Sequence, residues 1–441
     1  MLYDAESGDF TLVAGGDTMI TRRLRVFKED SFLGLKRLFQ NADVRFTNLE
    51  MLMHEFEHSP GAAGGTFTGS DPKNLKELEW LGINLVSCAN NHSYDYGEAG
   101  VLTNLAHLHD SDLVYAGTGR NLSEARAPGY LDTPQGRVAL ISASSTFSES
   151  GRALDQRPDI KGRPGLNALR FCETHTVDRT AFDELRRISS GLGLEALKDA
   201  QRRFKPKGMV PEDTDTEFRF MGKKFLLGEE FGVTTRLNAR DLEGNLRWVK
   251  DARRMSDWVL VSVHCHESGG HRDEPPGFLE DFARRCIDEG ADVFIGHGPH
   301  VTRGIEIYKG KPIFYSLGNF IFQNDTVRWQ PSFNYDLLKL DAGATPADFY
   351  DARSELDSRG FPGDSIYWES VVIRCEFRKR NVHRISLHPI DLGHGRPRGQ
   401  RGRPMLAGPD TAKKVLTRMQ RLSRPFGTAI KVEKGVGLVQ L

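Results

Sequence analysis

Five short apolar runs in this chain each end in a carboxylate, amide or imidazole side chain. The runs have the length and composition of buried β-strands, and helical patterns separate most of them along the chain. Such an alternation of strands and helices is typical of an α/β protein. In α/β sheets, ligands bind beyond the carboxyl ends of the strands. We therefore expect these five strand ends to converge on one side of a sheet and to form a functional site there.

The residues at the strand ends are chemically suited to hold metal ions. In chain order they are Asp17 after 10–14, Glu50 after 44–47, Asn91 and His92 after 84–87, His264 after 258–263, and His297 and His300 after 293–295. Carboxylate and amide oxygens combined with three or more imidazoles suit divalent Zn, Mn or Fe rather than Ca or Mg alone. Six protein ligands are too many for one catalytic ion with an open position, so we predict two ions sharing a bridging carboxylate. His92, next to Asn91, is then free to protonate a leaving group.

Each of these positions has a plainer interpretation when taken alone. Asp17 follows two glycines, which are expected to end the first strand, and it could simply cap that turn. His297 and His300 could be incidental histidines of a polar turn. His54 and His58, in a Gly-containing loop, are expected to face solvent.

Composition excludes several classes of function. The 441 residues carry no net charge, so no global field favours nucleic acid or an acidic membrane surface. The five scattered cysteines form no C-x-x-C pair, which argues against a disulfide scaffold or a thiolate zinc site. The sequence has neither a signal-peptide pattern nor an apolar run of about 18 residues. We expect a cytoplasmic protein without a membrane anchor that acts on a small-molecule or polymer substrate; nothing indicates an oligomeric state.

The strand–helix alternation is interrupted once. Residues 137–142 are predicted to add a strand to the first sheet, but from about 150 to 240 the sequence becomes rich in Arg, Gly and Pro. Two helical stretches, 180–188 and 194–204, and a hairpin around Gly222 are predicted there. We interpret 150–240 as a cap inserted into a domain spanning 8–395, followed by a loop, helix and strand extension over 396–441. Its four arginines, Arg396, Arg398, Arg401 and Arg403, fit a solvated loop better than an anion contact.

Six motifs together resemble the CapA family (poly-γ-glutamate capsule synthesis protein), a branch of the calcineurin-like metallophosphoesterase superfamily. They are Gly16-Asp17-Thr-Met, Asn48-Leu-Glu50, Ala89-Asn-Asn91-His92-x-x-Asp95-x-Gly97, His264, Gly296-His297-x-Pro-His300-Val and Tyr315-Ser-Leu-Gly-Asn319-Phe. The resemblance implies a four-layer α/β/β/α sandwich with a dinuclear site. It implies Asp17, Glu50 and His300 around the first ion; Glu50, Asn91, His264 and His297 around the second; and His92 as the acid. The candidates for supporting or substrate-contacting residues are Asn48, Asp95, His266, Glu267, Arg303 and Asn319.

The chain departs from the superfamily pattern in its first motif and from many CapA sequences after His264. The usual Asp-x-His is here Asp17-Thr18-Met19, so the first ion loses an imidazole ligand. Many CapA sequences carry Trp-Gly after the histidine that corresponds to His264, whereas this chain has Cys265-His266, which makes His266 a candidate extra ligand or substrate contact. The leading hypothesis is a metal-dependent hydrolase of a phosphoester or related polar ester or amide bond. The alternative is a non-hydrolytic or biosynthetic role in poly-γ-glutamate synthesis or handling.

Overall fold

The structure, a computed structural model, describes residues 8–61 and 65–441. Contacts divide the chain into two compact units. The larger unit comprises the residues up to Leu169 together with Arg240–Pro275 and Leu279–Leu441. The smaller unit comprises Arg170–Ala239 and Pro276–Phe278. No helix in the described ranges is long and apolar enough to cross a membrane.

The strands and helices are numbered along the chain. The first twelve strands are β1 Phe10–Met19, β2 Val44–Leu49, β3 Leu52–Met53, β4 Gly69–Ser70, β5 Leu85–Ser87, β6 Val114–Ala116, β7 Thr118–Gly119, β8 Gly129–Thr133, β9 Gly136–Ser144, β10 Gly165–Leu166, β11 Phe171–Val177 and β12 Glu217–Phe220. The remaining strands are β13 Lys223–Leu227, β14 Gly232–Leu237, β15 Trp258–His264, β16 Val293–His297, β17 Ile305–Tyr308, β18 Lys311–Phe314, β19 Asn319–Phe322, β20 Glu369–Arg378, β21 Asn381–Asp391, β22 Met405–Leu406, β23 Ile430–Glu433 and β24 Val436–Val439. The α-helices are α1 Asp30–Gln40, α2 Leu75–Leu81, α3 Gly97–His109, α4 Leu122–Arg126, α5 Arg179–Gly191, α6 Leu194–Phe204, α7 Ala239–Met255, α8 Gly277–Asp288, α9 Ser332–Leu337, α10 Pro346–Ser354, α11 Gly360–Gly363 and α12 Pro409–Ser423.

Two sheets form the framework of the larger unit. A ten-stranded sheet has the order β23-β24-β21-β20-β1-β2-β5-β6, with β19 paired to β1 and β22 paired to β21. A six-stranded sheet has the order β17-β18-β16-β15-β9-β8. Within the ten-stranded sheet, β19, β1, β2, β5 and β6 run parallel, and within the six-stranded sheet β9, β15, β16 and β18 do so. Each sheet therefore presents a row of strand carboxyl ends at one edge.

The two sheets pack face to face through a common apolar core. Side chains alternate along a strand, so one half of each strand's apolar residues faces the partner sheet. Leu12 and Ala14 of β1 share this core with Leu260 of β15 and Val293 of β16. Phe10 of β1 also stacks on the ring of Trp258, with 4.6 Å between centroids. This packing brings the carboxyl edges of the two sheets together.

Helices cover the outer face of each sheet. Val13 of β1 points away from the partner sheet into a second core, where Phe32 and Leu35 of α1 and Leu78 of α2 pack. On the other side the ring of Phe294 in β16 contacts Phe282 of α8, with centroids 6.3 Å apart. The order of layers is therefore helix, sheet, sheet, helix, and the predicted α/β/β/α sandwich is confirmed.

The smaller unit is built on a separate four-stranded sheet in the order β12-β13-β11-β14. Helix α5 packs on it through Phe182, whose ring lies 6.1 Å from that of Phe218. The amphipathic spacing of α5 explains this contact, and Asp178 caps the start of the helix because its side chain accepts the amide hydrogen of Ala181. The two predicted helices and the predicted hairpin in this region are confirmed.

Three local predictions are wrong. The strand predicted to end at Gly15 continues to Met19, because the two glycines let β1 shift its register against β2, between Ala14 and Asp17, instead of turning. Residues 137–142 lie in β9 of the six-stranded sheet, not in the sheet that contains β1. His54 does not face solvent: its side chain is buried beside the ring of Tyr96, 4.1 Å between centroids.

The arginine-rich segment after residue 395 is also different from the predicted solvated loop. Arg401 is 2% exposed and donates to Asp325 and Asp357 at 2.6 Å. Arg403 is likewise buried and pairs with Glu29. These arginines hold the C-terminal segment against the rest of the larger unit through internal ion pairs.

Candidate metal centre

Asp17 lies near the end of β1 in a crowded backbone environment. A Cβ atom on the preceding Gly16 would lie 1.8 Å from the carbonyl oxygen of Gly318, so only glycine permits this approach. The same carbonyl accepts the Asp17 amide hydrogen at 2.9 Å. The sequence Gly16-Asp17 therefore fixes the carboxylate at the edge where β1 meets β19.

One strand neighbour and one loop residue orient the Asp17 carboxylate. Asn48 of β2 lies beside Asp17 in register, and its Nδ2 donates to Oδ1 at 2.8 Å. The backbone amide of Gly298 donates to Oδ2 at 3.1 Å. Gly298 has φ 118°, and a Cβ there would lie 2.7 Å from the Cys265 backbone. Glycine is thus required for this loop to reach the carboxylate.

Glu50 supplies the least satisfied polar group of the site. Its side chain is fully buried, and neither carboxylate oxygen has a hydrogen-bond partner within the described residues. Three imidazole nitrogens surround Oε1: Nε2 of His264 at 3.6 Å, Nε2 of His300 at 3.7 Å and Nε2 of His266 at 3.9 Å. Burying an ionised carboxylate without a partner costs several kcal/mol, so the Glu50 side chain is either protonated or balanced by a positive charge.

The histidines come from the six-stranded sheet and the loop after it. His264 and His297 are the last residues of the adjacent parallel strands β15 and β16, paired in register, and their Nδ1 atoms lie 3.2 Å apart. His297 Nδ1 is also 3.6 Å from Asp17 Oδ1. His300 adopts a left-handed backbone with φ 59°, which turns its ring back so that Nδ1 lies 3.6 Å from Asp17 Oδ2.

Ligand-competent atoms form three overlapping groups, each within 4.8 Å. The groups are Asp17 with His264 and His297, Glu50 with His264 and His266, and Asp17 with Glu50 and His300. The strand ends that carry them belong to two sheets rather than to the single sheet that we expected. The last group coincides with the predicted first-ion set. The structure adds Asp17 to the predicted second-ion histidines and places His266 beside Glu50.

Asn91 and His92 line the cavity in front of this cluster. The cavity has a volume of about 400 Å³, and His266 and His300 also line it. The side-chain oxygen of Asn91 is buried without a hydrogen-bond partner in the described chain, as expected of a metal ligand. Which residues ligate stays a prediction.

Burial sets the protonation of the cluster in a way that suits a cation. It raises the pKa of Asp17 to about 7 and that of Glu50 well above its usual value. It lowers the pKa of His297 to about 3 and of His300 to about 4, so both imidazoles are neutral at physiological pH. Neutral imidazoles are the form that binds metals, and a cation would stabilise the two buried carboxylates as anions. The donor set therefore fits divalent ions.

The other predicted residues support the cluster in different ways. Asp95 is buried, and its Oδ2 lies 2.7 Å from His92 Nδ1. Asn319 Oδ1 lies 2.9 Å from His300 Nδ1. Arg303 is fully buried and donates to three backbone carbonyls, including that of Glu267 at 2.6 Å. It thereby braces the loop that carries His266.

Glu267 is not brought into the cluster. Its carboxylate accepts hydrogen bonds from Ser145 at 2.6 Å and from Thr146 at 3.0 Å. The contact ties the end of β9 to the segment after β15. Its position therefore assigns it to the scaffold of the site.

Sequence reasoning missed several residues at the centre. Ser262 lies 2.6 Å from His297 Nε2 and so orients that ring; its place two residues before His264, on the same strand face, is a signal that could have found it. Arg272, Arg353 and Phe361 line the cavity, and no periodic pattern marks them. Helix α10, which carries Arg353, begins with a capping box between Thr345 and Asp348 that was recognisable in the sequence.

Fold and site together define a four-layer α/β protein with a buried carboxylate–imidazole cluster where its two sheets meet. Residues 11–324 match the family described as "Bacterial capsule synthesis protein PGA_cap". The chain belongs to this family, which confirms the resemblance drawn from the motifs.

The comparisons also find individual relatives. The uncharacterized protein y4sH of Sinorhizobium fredii is 35% identical over 98% of this chain and 93% of its own length. Capsule biosynthesis protein CapA of Bacillus anthracis is 23% identical over 74% of this chain and 63% of its own. Among solved structures, the NAD nucleotidase of Haemophilus influenzae covers 95% of this chain and 56% of its own, with a TM-score of 0.31 and 9% identity.

Proposed function

We propose that this protein is a metal-dependent hydrolase that acts on a phosphoester or a related polar ester or amide bond. The observation that carries the proposal is the fully buried Glu50 carboxylate, which has three imidazole nitrogens within 3.9 Å of one oxygen and no hydrogen-bond partner in the described chain. Such a group is costly in a protein that binds no cation. Its position beside an open cavity suits a catalytic rather than a closed structural site.

Two divalent ions, of Mn, Zn or Fe, would be held around Glu50 as the shared ligand. Asp17 and His300 would complete one ligand set, and Asn91, His264 and His297 the other. When bound, such ions polarise the bond to be broken and lower the pKa of water towards neutrality.

The residues of the chain contribute orientation and a proton. His92 Nδ1 is held by Asp95 at 2.7 Å, which leaves Nε2 as the ring nitrogen available on the cavity side. Nε2 would donate its proton to the leaving group as the bond breaks. Asn48 and Gly298 fix the Asp17 carboxylate through hydrogen bonds, so the ligand does not need to reorganise.

Metal analysis of the purified protein, before and after incubation with Mn²⁺ or Zn²⁺, tests the proposal. We expect up to two ions per chain and turnover in a screen over phosphomonoesters, phosphodiesters and γ-glutamyl peptides. Asp17→Ala and His264→Ala should each abolish turnover and keep the circular dichroism spectrum of the wild type. His109→Ala, which removes an exposed imidazole at the end of α3, is the matched control and should keep full activity. A reconstituted protein that holds no metal would contradict the proposal.

A second candidate is a non-hydrolytic role in the synthesis or handling of poly-γ-glutamate. The names of two relatives support it: Capsule biosynthesis protein CapA of Bacillus anthracis and PGA biosynthesis protein CapA of Bacillus subtilis. Such a protein would bind the polymer without needing a general acid. Polymer binding that survives His92→Ala, in a wild type that shows no turnover in the screen, would favour this candidate over the hydrolase.

A further inference from the structure

A second cavity adjoins the candidate metal centre. It has a volume of about 270 Å³ and lies between α10, α11 and the segment after β19. Arg272, Arg353 and Phe361 line this cavity and also the cavity in front of the metal-ligand cluster. The ring of Phe361 lies 5.1 Å from that of His300, which places the second cavity directly behind a candidate ligand.

Five arginines line the second cavity, and three of them are neutralised by carboxylates. The ion pairs are Arg401 with Asp325 and Asp357, Arg398 with Asp351 at 2.7 Å, and Arg359 with Glu355 at 3.1 Å. Neither Arg272 nor Arg353 has a carboxylate within 4.0 Å among the residues of the described ranges. Both line the wall shared with the metal centre, so the excess positive charge lies between the two cavities.

Arg353 is the more informative of the two unpaired arginines. It is half-buried in the last turn of α10, and its guanidinium makes no hydrogen bond or ion pair to any described residue. Burial lowers the pKa of Arg353, as expected for a cation without a counter-charge. The guanidinium of Arg272 lies 5.3 Å from the centroid of the Tyr367 ring, an arrangement that leaves its N–H donors unused.

The remaining walls are largely aromatic and firmly held. Phe322, Tyr367 and Trp368 line the cavity, and the Phe322 and Trp368 rings lie 5.4 Å apart.

The segment after α10 has three consecutive left-handed residues, Glu355 to Asp357, with φ between 46° and 66°. Such a conformation costs about 1–2 kcal/mol per residue. The pair of Arg401 with Asp357, at 2.6 and 3.0 Å, holds the segment in this strained state.

We propose that this cavity binds an anionic group of the substrate, a carboxylate or a phosphate, that lies away from the bond broken at the metal centre. Arg353 and Arg272 donate charge-assisted hydrogen bonds to this group, and the aromatic walls cover the part of the substrate that joins it to the scissile bond. The site rests on the proposed function, since it defines the substrate of that centre as a molecule with at least two polar ends. Arg353 is thereby a specificity-determining residue.

Anion binding to the metal-free protein tests the site separately from metal chemistry. Glutarate and inorganic phosphate are the two probes, measured by titration calorimetry after chelator treatment; the one that binds more tightly identifies the anionic group. Arg353→Gln should weaken that binding about ten- to hundredfold, the range expected for losing a hydrogen bond to a charged group. Arg353→Lys, which keeps the charge, should retain part of the affinity. Arg359→Gln alters an exposed, paired arginine of the same cavity and should change affinity by less than about twofold.

Two results would overturn the site. One is a wild type that binds neither probe. The other is an affinity unchanged in Arg353→Gln and in Arg272→Gln, while circular dichroism and melting temperature show both variants folded. Failure of the proposed function would look different. The reconstituted protein would hold no metal and show no turnover, while the Arg353-dependent binding of the probe would remain measurable.

Discussion

The Nδ1 atom of His92 lies 2.7 Å from Oδ2 of Asp95; both side chains are buried, and His92 lines the cavity in front of the metal-ligand cluster. Asp95 Oδ2 also accepts the backbone amide hydrogen of Thr68 at 2.8 Å, so the carboxylate is fixed from a second direction. The arrangement holds the imidazole in one orientation and directs Nε2 away from its partner.

His92→Ala is expected to slow hydrolysis, and to slow it most for substrates whose leaving group must take up a proton as it departs. General acid catalysis contributes about 10²–10⁴ in rate. The loss should therefore approach that range for an alkyl ester and be much smaller for a p-nitrophenyl ester, whose leaving group departs as an anion. Comparison of kcat for the two esters checks this. Equal losses for both would show that His92 does not act as the acid.

Asp95→Asn tests whether Asp95 acts through His92. The substitution keeps the size of the side chain but removes the negative charge beside Nδ1, so we expect kcat to fall while metal content stays that of the wild type. Measuring kcat and metal content for the variant and the wild type checks this. An unchanged kcat in a folded variant would assign Asp95 to structure alone.

Glu50→Gln is expected to raise the stability of the metal-free protein and to reduce the stability that metal binding adds. In the metal-free protein the amide removes a carboxylate that burial disfavours, so the variant should be more stable at pH 8 by about 1–3 kcal/mol. With Mn²⁺ or Zn²⁺ the wild type should gain stability and the variant should gain far less, because the shared ligand is lost. Chemical denaturation with and without the ion measures both effects; equal gains on metal addition would contradict ligation by Glu50.

Metal affinity should rise with pH through the region around 7. Burial raises the folded-state pKa of Asp17 to about 7, so below that pH a proton occupies the carboxylate and competes with the ion. His297 and His300, whose pKa values are lowered to about 3 and about 4, are already neutral and add no competing proton there. Proton release from Asp17 alone predicts about a tenfold change in apparent Kd per pH unit between pH 5 and 7, and release from Glu50, whose pKa burial also raises, would steepen the slope. Competition with a chelator across this range measures the slope, and no slope would exclude proton release from Asp17.

His266→Gln is expected to weaken the binding of one ion without unfolding the protein. His266 Nε2 is buried, has no hydrogen-bond partner in the described chain and lies 3.9 Å from Glu50 Oε1. The ring is partly exposed, so its loss leaves little cavity and should cost little stability. Metal titration of the variant against the wild type checks this. Two ions bound with wild-type affinity would assign His266 to substrate contact only.

Met19→His is expected to tighten the weaker ion, because the first motif then supplies an imidazole as well as Asp17. Met19 is 1% exposed and lies beside Phe322 in register, yet it also lines the cavity of the metal centre. Met19→Leu is the control for lost packing. Titration with Mn²⁺ or Zn²⁺ measures the weaker site; a folded Met19→His variant with the affinity of the wild type would mean that residue 19 points into the core.

Most of the layered fold was predictable because its signals are local. An apolar run that ends in a polar residue marks a buried strand and its carboxyl end, and amphipathic spacing marks α1, α2, α5 and α8. The extension of β1 through Gly15 and Gly16 was not predictable in the same way. There Gly16 allows the backbone of β1 to approach that of Gly318, and this contact exists only because β1 pairs with a strand more than 300 residues later in the chain.

The sequence by itself determined which kinds of side chain stand at the strand ends, and therefore the chemistry open to this protein: Asp17, Glu50, Asn91 and the histidines that follow β15 and β16. Only the tertiary structure decided that β9 and β15 join a different sheet from β1, that Asp17 approaches both His264 and His297, and that Arg353 and Phe361 lie behind His300. The reason is physical. Strand ends and helix faces follow from the pattern of neighbouring residues, whereas the pairing of two sheets follows from packing one whole apolar face against another.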